Sequence, residues 1–336
     1  MKKLRVFQTV KIKGIVPGFF VKHLGTVLLF LFLIPYIVTF LFGNLKEGSA
    51  EKMPLEDLNT EYGEGAVYVS NETIMGIENI PLEYYVADKL ARSIDNYFEM
   101  ETLKAQAVLI RSGLLAAGMT GENGNNIRNI KVEDGNYGST VIPENIYEAV
   151  EETAGVYLAY QKQPVNGAYF AVSNGFTRDG EELFPTEYSY LKSVPCSRDF
   201  LSSDYASSVI YEENEFEKIW EMLTPVQMTE EVADNGKITM GNEMNQINLY
   251  RDSAGYVLYL EWEGKCVSGE QFRNAFGLSS ASFHLSKEGK KIMITVKGVG
   301  HGLGMSQYGA NEMAKEGEDY ITILNYFFQD VTINKL

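Results

Sequence analysis

Leu24–Phe42 reads LGTVLLFLFLIPYIVTFLF, nineteen residues without a charge. A helix needs about 20 apolar residues to cross a bilayer. Pro35 is tolerated inside such a span because neighbouring turns adjust in lipid. A cleaved leader would have an apolar core of about 7–15 residues and a small-x-small cleavage site. The run is longer than that, and Phe42-Gly43-Asn44-Leu45 makes a poor cleavage site, so it reads as an uncleaved transmembrane helix. Lys2, Lys3, Arg5, Lys11, Lys13 and Lys22 precede it with no acid among them, and Glu47, Glu51, Glu56 and Asp57 follow it. The positive-inside rule then makes 1–23 a cytoplasmic basic segment and puts the rest of the chain on the outer face of a single-pass membrane protein.

Removing those six cations from a net charge of −16 leaves −22 beyond the membrane. Nucleic acid and anionic lipid need basic patches, so neither suits the outer part as a partner. Cys196 and Cys266 both lie there. They form no C-x-x-C and no zinc-finger spacing, and sequence alone does not say whether they pair.

Residues 43–66 are polar and acidic and read as a linker. Residues 67–336 carry the periodicities of a folded domain. VYVSNETIMGI alternates like a strand. Pro81 suits a first helical position, with Leu82, Val86, Leu90 and Ile94 at near-helical spacing. A second helix covers 101–117, with Leu103, Ala107, Ile110 and Leu114 on one face and Gly118 as its C-cap. Residues 119–143 read as a loop, and 146–153 as a short helix. GVYLAYQKQPVNGAYFAVS reads as two strands around a turn at Pro164 and Asn166-Gly167. Residues 213–235 are acidic with helical patches. QINLYRDSAGYVLYLEWEGKCV gives further strands, SGEQFRNAFG a helix from Ser268 to Gly277, and SASFHLSKEGKKIMITVKGVG a hairpin with His284 on its surface. Helices at 310–317 and 320–328 close the chain. Strands and helices mix without regular alternation, which predicts an α+β fold.

Three stretches carry chemistry. GVGHGLGMSQYG, residues 298–309, holds five glycines and one of the chain's three histidines. Glycines let the backbone approach a ligand closely, while His301, Ser306, Gln307 and Tyr308 supply donors and acceptors. The lipase-type G-x-S-x-G is not met, because Tyr308 stands where its last glycine belongs. ETLKAQAVLIRSG places Glu101, Lys104, Gln106 and Arg111 on an otherwise apolar helix. AYFAVSNGFTRDG runs a strand into Ser173-Asn174-Gly175.

In this order the stretches resemble the stage II sporulation protein D (SpoIID/LytB) family. ETLKAQAVLIR is similar to its Glu-Ala-Leu-Lys-Ala-Gln-Ala-x-x-x-Arg signature, and IPLEYYVADKL to the segment before it. SNGFT, YLKSVPCSRD, SGEQFRNAFGLSSASF and GHGLGMSQYGA match further elements, so the resemblance spans about 77–333. It implies a glycan groove and a lytic transglycosylase, which cuts the MurNAc–GlcNAc bond of peptidoglycan strands without water. That reaction needs one carboxylic acid, first as proton donor and then as base. Lys104, Arg111, Ser173, Asn174, Thr177, His301, Ser306 and Gln307 are expected to line or brace the groove.

One departure bears on the chemistry. The family's presumed catalytic glutamate sits in an Ala-Ala-Glu-Met-like patch, and the ungapped match places Ser93 there, in Ala91-Arg92-Ser93-Ile94. Serine is no general acid, and Asp95 is the nearest substitute. Some relatives hold zinc beside the Ser-Gly-Gly element. Here Ala171 stands next to it with no histidine near in sequence, so neither metal nor other cofactor is expected. Two readings stay open: a lytic transglycosylase with a relocated acid, or a non-catalytic glycan-binding or scaffolding protein. A third makes the acidic 213–235 segment a surface for cell-wall enzyme partners.

Overall fold

The structure is a computed structural model that describes residues 67–73, 76–120, 129–184, 188–228, 237–239 and 247–336. Segments 1–23, 24–42 and 43–66 lie outside the described residues. Among the described residues no helix is long and apolar enough to cross a membrane.

Strand β1 (Tyr68–Thr73) pairs antiparallel with β2 (Gly76–Pro81), which feeds helix α1 (Leu82–Ser93) directly. The alternating run is therefore two strands, and Pro81 is the N-cap of α1 rather than its first turn. Leu82, Val86 and Leu90 face the core as their spacing predicts, while Ile94 turns extended and ends the helix.

Helix α2 (Met100–Thr120) is the centre of the fold because it is apolar on two faces. Leu103, Ala107, Ile110 and Leu114 pack with α1, β1, β3 (Asn129–Val132) and α3 (Glu144–Glu152). Ala105, Val108 and Leu109 join a second core with Leu158, Met305, Ile323, Leu324 and Phe327. Gly118 is not the C-cap: it lies inside α2, where a Cβ would come within 2.9 Å of Ile130 Cγ1. The 119–143 segment, read as a loop, contributes β3, which runs parallel to β1.

The second core is closed by β4 (Val156–Tyr160), β5 (Gln163–Pro164) and β15 (Thr332–Lys335), with α7 (Gln307–Lys315) and α8 (Tyr320–Phe327). The β4–β5 turn is Gln161-Lys162, both at positive φ, and not Asn166-Gly167. Gly167 instead lets the chain pass against α2, where a Cβ would sit 2.1 Å from the Leu109 carbonyl oxygen. Strand β6 (Tyr169–Phe170) follows and pairs in parallel with β14 (Met305–Ser306).

After the short helix α4 (Gly180–Leu183) and a 3-10 turn (Ser197–Leu201), residues 206–297 build a third core. There β7 (Ala206–Glu212) pairs with β13 (Lys291–Lys297), and β13 with β12 (Phe283–Glu288). Strands β8 (Lys237–Thr239), β9 (Asn248–Arg251), β10 (Val257–Trp262) and β11 (Lys265–Ser268) form the facing sheet. Helix α5 (Glu213–Met222) buries Phe216 and Trp220, and α6 (Gly269–Ala275) starts at a Ser268 capping box. His284 is exposed on β12. The α+β expectation holds.

Candidate functional site

The glycine-rich stretch leaves the third core and returns to α2. It is threaded against backbone rather than draped over it. A Cβ on Gly304, at φ +76°, would lie 2.1 Å from the Ala168 carbonyl oxygen. That approach lets β14 pair with β6 and places Ser306 and Gln307 at the start of α7.

Three polar networks then tie the motif residues together. In the first, Arg111 on α2 grips Glu83 on α1, with Nη2 2.5 Å from Oε2 and Nε 2.9 Å from Oε1. Arg111 Nη1 donates to the Val156 carbonyl at 2.9 Å, and Gly155 N donates to Glu83 Oε1 at 3.0 Å. Arg111 is fully buried, so it braces the domain and does not reach a ligand.

The second network surrounds Asp199, also fully buried. Its Oδ2 accepts from Ser173 N at 2.6 Å and from Ser306 Oγ at 2.7 Å. Its Oδ1 has no hydrogen-bond partner, and burial raises its pKa above the usual carboxylate range. Ser306 Oγ also caps α7, accepting from Gly309 N at 3.2 Å. Ser173 and Ser306 are therefore sealed inside this knot. Thr177, buried as well, accepts from Val194 N at 2.9 Å. Asn174 reaches the third core, donating to the Ala254 carbonyl and to Ser282 Oγ. Nearby, Arg178 and Asp252 form a buried pair at 2.6 Å beneath the His301 carbonyl.

The third network includes Ser93. Gln307 Nε2 donates to the Ser93 carbonyl at 2.7 Å and to Gln106 Oε1 at 2.8 Å. Gln106 Nε2 donates to Ser93 Oγ at 3.0 Å. The Ser93 hydroxyl donates to the Leu90 carbonyl at 3.3 Å, and the phenol of Tyr169, whose pKa burial raises, lies beside it. Gln106 and Gln307 are buried, whereas Ser93 and Tyr169 are half-buried, so this network reaches the surface. His301 adjoins it through the same strand: its ring lies beside the Tyr169 backbone and 5.8 Å from the Phe170 ring centroid. Leu303 N donates to His301 Nδ1 at 3.1 Å. Crowding by protein atoms, then Arg273, holds the imidazole below its usual pKa.

Of the expected residues, the structure gathers Ser93 and Gln307 into one network and sets His301 beside it. Asp95 is exposed, with Oδ1 accepting from Tyr97 N at 2.9 Å in an Asx turn. Lys104 is paired with Glu101 at 2.7 Å and with Glu152. Glu101 in turn accepts from Tyr320 N, so Lys104 sits in a brace between helices. Sequence reasoning passed over Glu83, Tyr169, Asp199 and the Arg178–Asp252 pair as partners. The available signal was an ionisable residue inside an apolar segment, which demands a partner when buried.

Among the described residues no group of three or more His, Cys, Asp or Glu side chains is placed to hold a metal. Cys196 and Cys266 are both free thiols. Burial pushes the Cys196 thiol up to about 12.

The profile of the family "SpoIID: Stage II sporulation protein" matches residues 70–160, the part that carries α1, α2 and the Glu83–Arg111 pair. Stage II sporulation protein D of Bacillus subtilis (strain 168) is 32% identical over 276 residues, covering 77% of this chain and 76% of that protein. Its counterpart in Bacillus amyloliquefaciens is 31% identical over 275 residues with the same coverage. The amidase enhancer of B. subtilis (strain 168) is 24% identical over 275 residues, covering 70% of this chain and 38% of that protein. The likeness to the sporulation proteins extends well past the profile match, and the chain belongs to the stage II sporulation protein D (SpoIID) family.

Proposed function

We propose that this domain binds peptidoglycan glycan strands at the Ser93–Tyr169–His301 surface and does not cleave them. One observation carries the reading: the position expected to hold the catalytic acid is an amide–hydroxyl network with no carboxyl group in it. The other acids of α1 are committed elsewhere. Glu83 pairs with Arg111, and Asp88 accepts from Arg92 Nε and from Gly138 N. Asp95 stands in solvent at an Asx turn. Cleavage of a glycosidic bond needs a carboxylic acid against the leaving oxygen, and the network offers none. What remains suits sugar: Ser93, Tyr169 and His301 present hydroxyl, phenol and imidazole at the surface.

The apolar run 24–42 anchors this domain in the cell membrane, with 1–23 inside and the domain 67–336 on the wall side. The polar, acidic composition of 43–66 suits a linker between them. A sporulation or envelope-remodelling role follows from the relatives' printed names. The exposed acids of α5, Glu215, Glu217 and Glu221, offer a surface for cell-wall enzyme partners.

Co-sedimentation of the full chain with purified glycan strands tests the reading. Binding is expected, weakened by Tyr169→Phe, which removes the hydroxyl while keeping the ring. Absence of binding by the wild-type chain would overturn it.

A further inference from the structure

Strand β7 (Ala206–Glu212) ends the sheet ordered β12–β13–β7, and among the described residues it pairs only with β13. The register decides which of its backbone groups are used. Gly298 N donates to the Tyr205 carbonyl at 2.7 Å, and Glu213 N to the Lys290 carbonyl at 2.8 Å. Both bonds continue the register of the seven pairs between them. In an antiparallel ladder, hydrogen-bonded pairs alternate with non-bonded ones. Ser207, Val209 and Tyr211 therefore bond to β13, while Ala206, Ser208 and Ile210 turn their N–H and C=O groups away from it. Among the described residues no other element reaches those outward groups. Natural sheets blunt such edges with charge, proline, a bulge or short length. Strand β7 has seven residues, ASSVIYE, with no proline, no charge before Glu212 and an unbroken register. Ala206, Ser207 and Ser208 are exposed, and Ile210 is 60% exposed. The opposite edge of the sheet is managed: the Phe283 carbonyl accepts from Arg251 Nη2 at 2.7 Å, and Lys287 stands along it.

The rows of side chains that cross the outer face of this sheet fix the chemistry of a strand that would extend it. Ser286, Met293 and Ile210 form one row, with Met293 and Ile210 both exposed. Two residues along, Glu288, Lys291 and Glu212 form another, alternating in sign. Lys291 Nζ lies 4.0 Å from Glu212 Oε1. The carboxylate of the exposed Glu215 accepts from Glu212 N at 3.4 Å, so this row ends on surplus negative charge. Opposite charges stabilise a cross-strand pair and like charges destabilise it. Charge complementarity therefore asks for a cation beside Glu212 and an apolar side chain beside Ile210, two residues apart on one face. A second copy of β7 does not supply them, because Tyr205–Glu213 reads YASSVIYEE and holds no cation.

We propose that the free edge of β7 docks an extended segment of a partner polypeptide as a fourth strand, one that carries a lysine or arginine and an aliphatic residue two apart. Main-chain hydrogen bonds to Ser208 and Ile210 supply the affinity, as in other cases of strand addition. The Glu212 and Ile210 rows supply the register, since a slip of one residue would send the cation to the other face. The edge belongs to the third core, and the inference stands independently of glycan binding.

The test uses the full chain and three heptapeptides capped at both ends. The first, Lys-Thr-Val-Thr-Thr-Ser-Thr, runs antiparallel to β7 with its lysine opposite Glu212 and its valine opposite Ile210. The second replaces the lysine with glutamate. The third is N-methylated at its third and fifth residues, which would otherwise bond to Ile210 and Ser208. Hydrogen exchange is followed at the Ser208 and Ile210 amides with each peptide in excess. The first peptide is expected to slow both amides about tenfold or more, and the glutamate peptide to bind about fivefold more weakly. The methylated peptide is expected to protect neither amide. Ser208→Pro removes an outward N–H, which an edge strand tolerates, and is expected to abolish the protection at Ile210. Unchanged exchange at both amides with the first peptide, equal protection by the methylated one, or equal affinity for the lysine and glutamate peptides would overturn the proposal.

Discussion

The same two helices are joined twice, at opposite ends of α1, by opposite means. At Glu83 the joint is a charged pair sealed in the core, with every strong donor of Arg111 directed at protein. Ten residues on, at Ser93, it is a neutral relay through Gln106 and Gln307 that opens to solvent at one end. A buried ion pair is intolerant of losing one member, because the survivor is left as an uncompensated charge. A neutral network tolerates change better, and this one leaves the Ser93 and Tyr169 hydroxyls half-buried at its open end. The difference separates residues sealed inside the domain from residues that reach its surface, although both kinds occur in the same motifs.

Breaking the sealed joint has the largest expected effect. Arg111→Met strands Glu83 and should cost about 3–5 kcal/mol in urea unfolding, whereas Glu83→Leu combined with Arg111→Met should recover much of that loss. If the single variant proves as stable as wild type, the two joints do not differ as described. Gln307→Ala comes next. It removes the donor to both Gln106 Oε1 and the Ser93 carbonyl, and about 1–3 kcal/mol should be lost, with glycan binding weakened in parallel. Ser93→Ala sharpens the contrast. At a half-buried position it should change stability by less than about 1 kcal/mol yet reduce glycan affinity measurably, a split that Arg111→Met cannot show.

The smallest effect is a pH dependence in the Asp199 knot. The pKa of Asp199 is raised above the usual 3.8 by burial. Between 3.8 and its raised value, the folded state keeps a proton that the unfolded state has released. Its contribution is therefore full below about 3.8 and is lost as pH rises through the folded value. The stability of wild type relative to Asp199→Asn should accordingly be greater near pH 4 than at pH 7. A gap that widens towards pH 7 would mean the carboxylate is stabilised as an anion.

Much of this was readable from spacing. Leu103, Ala107, Ile110 and Leu114 repeat at helical period, and all four lie in the first core. The Ser268 cap and the Gly277 stop of α6 follow from local hydrogen bonding and positive φ. The failures share a cause. Gly118 and Gly167 read as a cap and a turn, yet both are used for close approach to a distant segment, which local sequence does not encode. Arg111, Ser173, Thr177 and Ser306 carry a two-way expectation, to line the groove or to brace it, because polar groups in apolar segments signal either a ligand or an internal partner. The partner of Arg111 lies 28 residues away and that of Ser306 lies 107 away.

The central claim is that the Ser93 surface holds glycan without cutting it. The direct measurement incubates the full chain with peptide-free glycan strands and seeks anhydro-ended products by mass spectrometry, with Ser93→Glu and Asp95→Asn alongside. The account predicts bound, intact strands for the wild type. Anhydro-ended products from the wild type, abolished by Asp95→Asn, would contradict it and place the working acid at Asp95.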